Sequence, residues 1–123
     1  MIFDHIVLSV KNHKKSKEFY LNVLEALGIK FIREEDACIG FGTNGKPSLW
    51  LCNDDIVQTP MHIAFVAQDR KSVDAFHAAA LAAGGKDNGG PGLRKNYQPN
   101  YYAAFVIDPD GHNIEAVCRS KPE

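Results

Sequence analysis

Two short apolar runs rich in branched residues, HIVLSV at 5–10 and HIAFVA at 62–67, have the length and composition of buried β-strands, and both open on His-Ile. A polar residue suited to helix capping follows each, Asn12 in one case and Asp69 in the other. In the first half Phe19, Tyr20, Val23, Leu24 and Leu27 then recur at helical spacing, and Gly28 stands where a helix commonly ends in a left-handed residue. In the second half Val73, Phe76, Ala80 and Ala83 form the corresponding stripe, with Gly84 as the corresponding stop. Agreement at strand, cap and helix stop together predicts an internal duplication.

After each predicted helix come short β-like runs. They are Lys30–Arg33, Ala37–Phe41 and Ser48–Cys52 in the first half, and a weak piece near Lys86, Tyr102–Ile107 and Asn113–Cys118 in the second. The turns between them are marked by Gly42-Thr43-Asn44-Gly45 and by Asp108-Pro109-Asp110-Gly111. Each half is therefore predicted as β-α-β-β-β, the first over about residues 1–54 and the second over about 60–119, within one α+β domain of residues 1–123. The segment Gly84–Asn100 breaks the pattern with five glycines and two prolines in seventeen residues. It predicts a long loop, for which a lid over a site is the functional expectation.

The duplication also gathers candidate chemistry. In the last strand Glu115 shares a face with Asn113 and Val117, and a carboxylate on a buried sheet face costs several kcal/mol unless it is paired or bound to a cation. His5 and His62 open equivalent strands, so a twofold relation between the halves would bring both imidazoles to one place. Two histidines and one carboxylate suit a divalent transition metal with open positions for water or substrate. The alternative reading of the same residues is a pair of hydrogen-bonded strand-end histidines and a surface acid. Trp50 is expected at the position equivalent to Glu115, lining the pocket or filling the core. Arg94, Lys95, Tyr97, Tyr101 and Tyr102 give the glycine-rich segment and the residues just after it charge and aromatic surface, with Arg94 able to grip a carboxylate or phosphate and Tyr97 to donate to a substrate oxygen.

Charge and composition narrow the field. Fourteen Lys and Arg against fifteen Asp and Glu, a net charge of −1, leave no basic field for nucleic acid. No apolar run approaches the roughly 20 residues that span a bilayer, and the first residues lack signal-peptide features, which gives a cytoplasmic expectation with no membrane partner. Cys38, Cys52 and Cys118 are odd in number with no C-x-x-C pair, so each is expected to pack as a small apolar residue and none in a disulfide. His13, His77 and His112 lack ligand spacing and are expected at the surface. Asp108–Gly111 lacks the long acidic loop of an EF-hand and reads as a structural turn.

The strings HIVLSV, KSKEFYLNVLEALG, SLWLC, MHIAFVA and DPDGHNIEAV resemble, over nearly the whole chain, the successive signatures of the vicinal oxygen chelate superfamily. That superfamily includes glyoxalases, extradiol dioxygenases, fosfomycin-resistance thiol transferases and bleomycin-binding proteins. The resemblance implies two β-α-β-β-β modules forming a cupped mixed sheet with helices outside. It also implies a divalent metal, Zn, Ni, Mn, Fe or Co, held by His5, His62 and Glu115, a small-molecule substrate and a homodimer. Glyoxalase I enzymes carry a fourth, acidic ligand at the position matching Trp50, and an indole cannot coordinate a metal. The leading expectation is thus a metal-dependent lyase, isomerase or dioxygenase on a small chelating oxygenated substrate, with Tyr97 the candidate catalytic group. The alternatives are a metal-free, drug-sequestering protein of the bleomycin-resistance kind and a thiol transferase of the fosfomycin-resistance kind.

Overall fold

The structure, a computed structural model, describes residues 2–122. In chain order the elements are β1 (Ile6–Val10), α1 (His13–Glu25), β2 (Lys30–Glu35), β3 (Cys38–Thr43), β4 (Lys46–Asn53), β5 (His62–Val66), α2 (Arg70–Ala82), β6 (Lys86–Leu93), β7 (Tyr102–Ile107) and β8 (Asn113–Cys118). The duplication is realised as two β-α-β-β-β modules whose four-stranded sheets have the same order, β1-β4-β3-β2 and β5-β8-β7-β6. In each sheet the first strand runs parallel to the last, and the remaining neighbours are antiparallel. The parallel pair needs a crossover, which the helix provides.

The predicted caps form. Asn12 Oδ1 accepts the N–H groups of Lys14 and Lys15 at 3.1 and 3.2 Å, and Asp69 Oδ1 accepts that of Ser72 at 2.8 Å. Gly28 at φ 76° and Gly84 at φ 95° lie just beyond the two helices in the left-handed region that a side chain would disfavour. Phe19, Tyr20, Val23 and Leu24 from α1 and Val73, Phe76 and Ala80 from α2 share one continuous core with Leu49, Leu51, Ile114 and Ala116. Truncating a fully buried ring such as Phe76 to alanine would cost about 3–5 kcal/mol.

The helices pack on each other, so the modules join through their helical layers and each sheet keeps one open face. The Asp108–Gly111 turn is structural, as expected, and it also ties the modules together. Tyr20 donates its hydroxyl proton to Asp108 Oδ2 at 2.5 Å, and Lys11 N–H donates to Asp110 Oδ1 at 2.9 Å. His112 is fully buried, which corrects its expected surface position. Its Nδ1 accepts from Met61 N–H at 3.1 Å, leaving the Nε2–H to donate to Ser9 O at 3.3 Å. His13 and His77 are half-buried beside Glu34 and Asp87, so neither is a freely solvated group.

Two further expectations are corrected. The middle of the predicted loop, Lys86–Leu93, is the edge strand β6, which pairs with β7 through two register shifts and keeps Gly89, Gly90, Gly92 and Pro91 at the rim of the sheet. Backbone hydrogen bonding to β7 overrides the poor strand propensity of this segment. Cys38 and Cys52 are joined in a disulfide, with Cα atoms 4.0 Å apart, while Cys118 is free and buried. They are direct partners across the β3–β4 hairpin, a closeness that their separation in sequence conceals. Among the described residues no helix is long and apolar enough to cross a membrane.

Candidate functional site

Alternation along β8 places Ile114, Ala116 and Cys118 in the core and turns Glu115 and Val117 to the open face of the second module. Glu115 is nonetheless only 2% exposed. A carboxylate so enclosed requires donors, and it has two: His62 Nε2–H at 2.8 Å to Oε1 and the Tyr101 hydroxyl at 2.5 Å to Oε2. His62, the first residue of β5, is half-exposed and stacks on Phe105, with ring centroids 6.2 Å apart and planes at 29°. Phe105 lies directly across from Glu115 in the β7–β8 pairing, so imidazole, phenyl ring and carboxylate form one contiguous patch.

Tyr101, read from the sequence only as part of the segment's aromatic surface, is the partner of Glu115, a role that sequence reasoning missed. Burial and the hydrogen bond and charge of Glu115 push its phenol up to about 12, with Arg119 partly opposing them, so it remains a protonated donor at neutral pH. Tyr102, predicted beside the substrate, points the other way: its hydroxyl donates to Asp74 of α2 at 2.6 Å and its ring lies under Arg70. Period-2 alternation permits only one of two adjacent tyrosines on the open face. Both faces of β7 are apolar, so only the pairing with β8 reveals which one it is.

The other predicted residues fall in different places. Tyr97 is exposed at the hairpin tip and packs edge-on against Tyr101, with centroids 5.0 Å apart. Arg94 sits beside the same patch, its Cζ 5.4 Å from the Phe105 centroid. Trp50 is on the open face of the first module, opposite Val7, the rung that corresponds to Ala64 opposite Glu115 in the second. Its indole lies across Gly40, where an added Cβ would come within 2.9 Å of the ring, and Arg33 covers it at 5.6 Å. His5 precedes β1, and its Nδ1 is 2.7 Å from Asp4 Oδ1. His5 and His62 therefore do not meet within one chain, and among the described residues no three His, Cys, Asp or Glu side chains form a metal-binding group.

The donor chemistry fits a divalent ion in part. His62 Nε2 and Glu115 Oε1 stand 2.8 Å apart and are of the right chemistry to serve as two ligands, but they are hydrogen-bonded to each other, and the third expected ligand stands on the other module. A cleft of about 350 Å³ between Lys11, Lys15, Thr59 and Pro109 lies at the module junction and is lined by none of these residues.

A sequence profile of the Glyoxalase/Bleomycin resistance protein/Dioxygenase superfamily matches residues 2–116. A glyoxalase/bleomycin resistance protein from Albidiferax ferrireducens is 28% identical, with a TM-score of 0.86 over 96% of this chain and 99% of that one. A glyoxalase I mutant from Zea mays is 26% identical, with a TM-score of 0.69 over 94% of this chain and 45% of its own. A glyoxalase/bleomycin resistance protein/dioxygenase family enzyme from Burkholderia phytofirmans, 16% identical, shares the fold with a TM-score of 0.74 over 95% and 98%. No curated protein sequence matches the chain. With a profile match across almost its whole length and the paired β-α-β-β-β modules in place, the chain belongs to the glyoxalase/bleomycin resistance protein/dioxygenase superfamily.

Proposed function

We propose that this protein is a metal-dependent enzyme acting on a small oxygenated substrate, with a divalent ion held by His62, Glu115 and the His5 of a second copy. The observation that carries the reading is Glu115, a carboxylate 2% exposed on a sheet face, fixed between two donors with His62 at its open side. Such an ion would act as a Lewis acid on chelating substrate oxygens. Tyr101 holds the Glu115 carboxylate in orientation by donating to its second oxygen. Phe105 supplies an apolar floor on which His62 stacks, and Tyr97 stands at the rim as the candidate proton donor. Trp50 of the second copy would form the facing wall. β1 and β5, the strands beside His5 and His62, are unpaired sheet edges with exposed Val7 and Val66, which leaves room for the open face of another copy.

One observation favours a metal-free, ligand-sequestering role instead: both Glu115 oxygens are already satisfied by the chain's own donors. Metal content separates the two readings. After incubation with Mn, Fe, Ni, Co or Zn and removal of free ion, the protein should retain near-stoichiometric metal by plasma mass spectrometry. Glu115→Gln, His62→Ala and His5→Ala should each lose it, with folding unchanged by circular dichroism. A native protein that retains none of the five ions would favour sequestration.

A further inference from the structure

The glycine-rich strand β6 is built around one side chain. Arg94, immediately after β6, folds back so that Nη1–H donates to Gly92 O and Nη2–H to Gly90 O, each at 2.8 Å. The guanidinium occupies the space that side chains would otherwise fill. A Cβ at Gly92 would lie 3.2 Å from Nη1, and one at Gly89 would lie 3.2 Å from Nη2 and 3.0 Å from Phe105 Cδ1. Gly89 also has φ 146°, a conformation that a side chain rarely takes. Main-chain carbonyls hold the cation in place, and among the described residues no carboxylate pairs with it. Its charge is therefore fixed and uncompensated.

Its position gives that charge a use. The guanidinium lies over the Phe105 ring, and the same ring stacks on His62 and faces Glu115 across the β7–β8 pair. A cation thus stands one phenyl ring away from the His62–Glu115 pair, on the same open face. Two backbone bonds leave the remaining guanidinium N–H donors for a ligand, and a planar fork suits a carboxylate. We propose that Arg94 is the specificity-determining residue of this site and that the substrate is a carboxylate, its acid group on Arg94 and its reacting oxygens at His62 and Glu115. The inference rests on the site proposed above and adds the charge class of its ligand. Gly89 and Gly92 are then explained as clearance for the clamp.

The test uses two isosteric probes with the same vicinal oxygens, 3,4-dihydroxybenzoate and its neutral amide 3,4-dihydroxybenzamide. Each is titrated calorimetrically into the full-length protein, metal-free and after Zn²⁺ loading and desalting. The acid should bind about tenfold or more tightly than the amide, as expected for a charge-assisted bidentate contact. Arg94→Gln should bring the two affinities together by weakening the acid far more than the amide, and Arg94→Lys should recover part of the preference. Gly92→Ala, whose Cβ would crowd Nη1 at 3.2 Å, should lower the ratio to a smaller extent. Equal affinities in the native protein, a preference that survives Arg94→Gln, or binding of neither probe overturns the assignment. Glu115→Gln tells the two failures apart. If it weakens both probes and the native acid-to-amide ratio is one, only the Arg94 clamp falls; if neither probe responds to it, the site itself is misplaced and the inference falls with it.

Discussion

At the scale of single residues, Glu115 and the disulfide depend on different kinds of neighbour. Glu115 could be singled out from the chain alone, because a carboxylate at an odd position in an apolar run must be compensated. Which group compensates it could not, since the choice between Tyr101 and Tyr102 is a matter of strand parity settled by hydrogen bonds to β8. The cysteines present the same problem more sharply, because their pairing leaves no trace in spacing. The disulfide makes a direct prediction: unfolded, unreduced protein should titrate with one thiol per chain, Cys118, and with three after reduction. Three reactive thiols before reduction would show that Cys38 and Cys52 are not joined. Ellman's reagent in guanidinium chloride makes the count.

At the scale of elements, helices and hairpin turns were legible because their signals are local. Asn12, Asp69, Gly28 and Gly84 act within one turn of where they stand, and Asn44-Gly45 closes the β3–β4 hairpin with both residues at positive φ. What escaped was a shift in register. The two-residue turn pairs Thr43 with Lys46 and Gly42 with Pro47, but Ser48 is then bulged, so Phe41 meets Leu49 and Cys38 meets Cys52. That single extra residue creates the disulfide and lays Trp50 over Gly40. Between elements, α1 meets the β7–β8 hairpin through Tyr20 and Asp108. Burial, with Asp108 beside it, holds the Tyr20 phenol well above its ordinary value of 10. Its folded pKa is raised, so above pH 10 the unfolded chain loses that proton while the folded chain keeps it, and stability falls as pH rises. In urea titrations from pH 8 to pH 11, Tyr20→Phe should be less stable than the native protein by about 1–2 kcal/mol at pH 8, where a buried carboxylate loses a donor. It should also lose stability less steeply above pH 10, by up to about 1.4 kcal/mol per pH unit. An unchanged alkaline slope would show that Tyr20 ionises freely in the folded state.

At the scale of the whole molecule, the modules turn their helical faces inward and leave two open sheet faces, with His62 and Glu115 on one module and His5 and Trp50 on the other. The proposed function needs both faces at one site, which two copies of the chain can supply. Complementation tests this arrangement. His5→Ala and Glu115→Gln each damage a different half of a shared site, so an equimolar mixture refolded together should regain metal where neither variant alone binds it. Random pairing into shared-site dimers restores about a quarter of native capacity, measured by metal content of the dimer peak after gel filtration. No recovery would mean that the three ligands come from one chain or do not act together. The sequence alone determined the duplicated modules, their helices and caps, the core stripes and the carboxylate that marks the site, because these follow from periodicity and from interactions a few residues long. Only the tertiary structure decided the partner of Glu115, the bulge that joins the cysteines, the strand that cradles Arg94, the burial of His112 and the separation of His5 from His62. Each of those depends on hydrogen-bond register or packing between segments far apart in the chain, and a change of one residue in register reverses which side chains share a face.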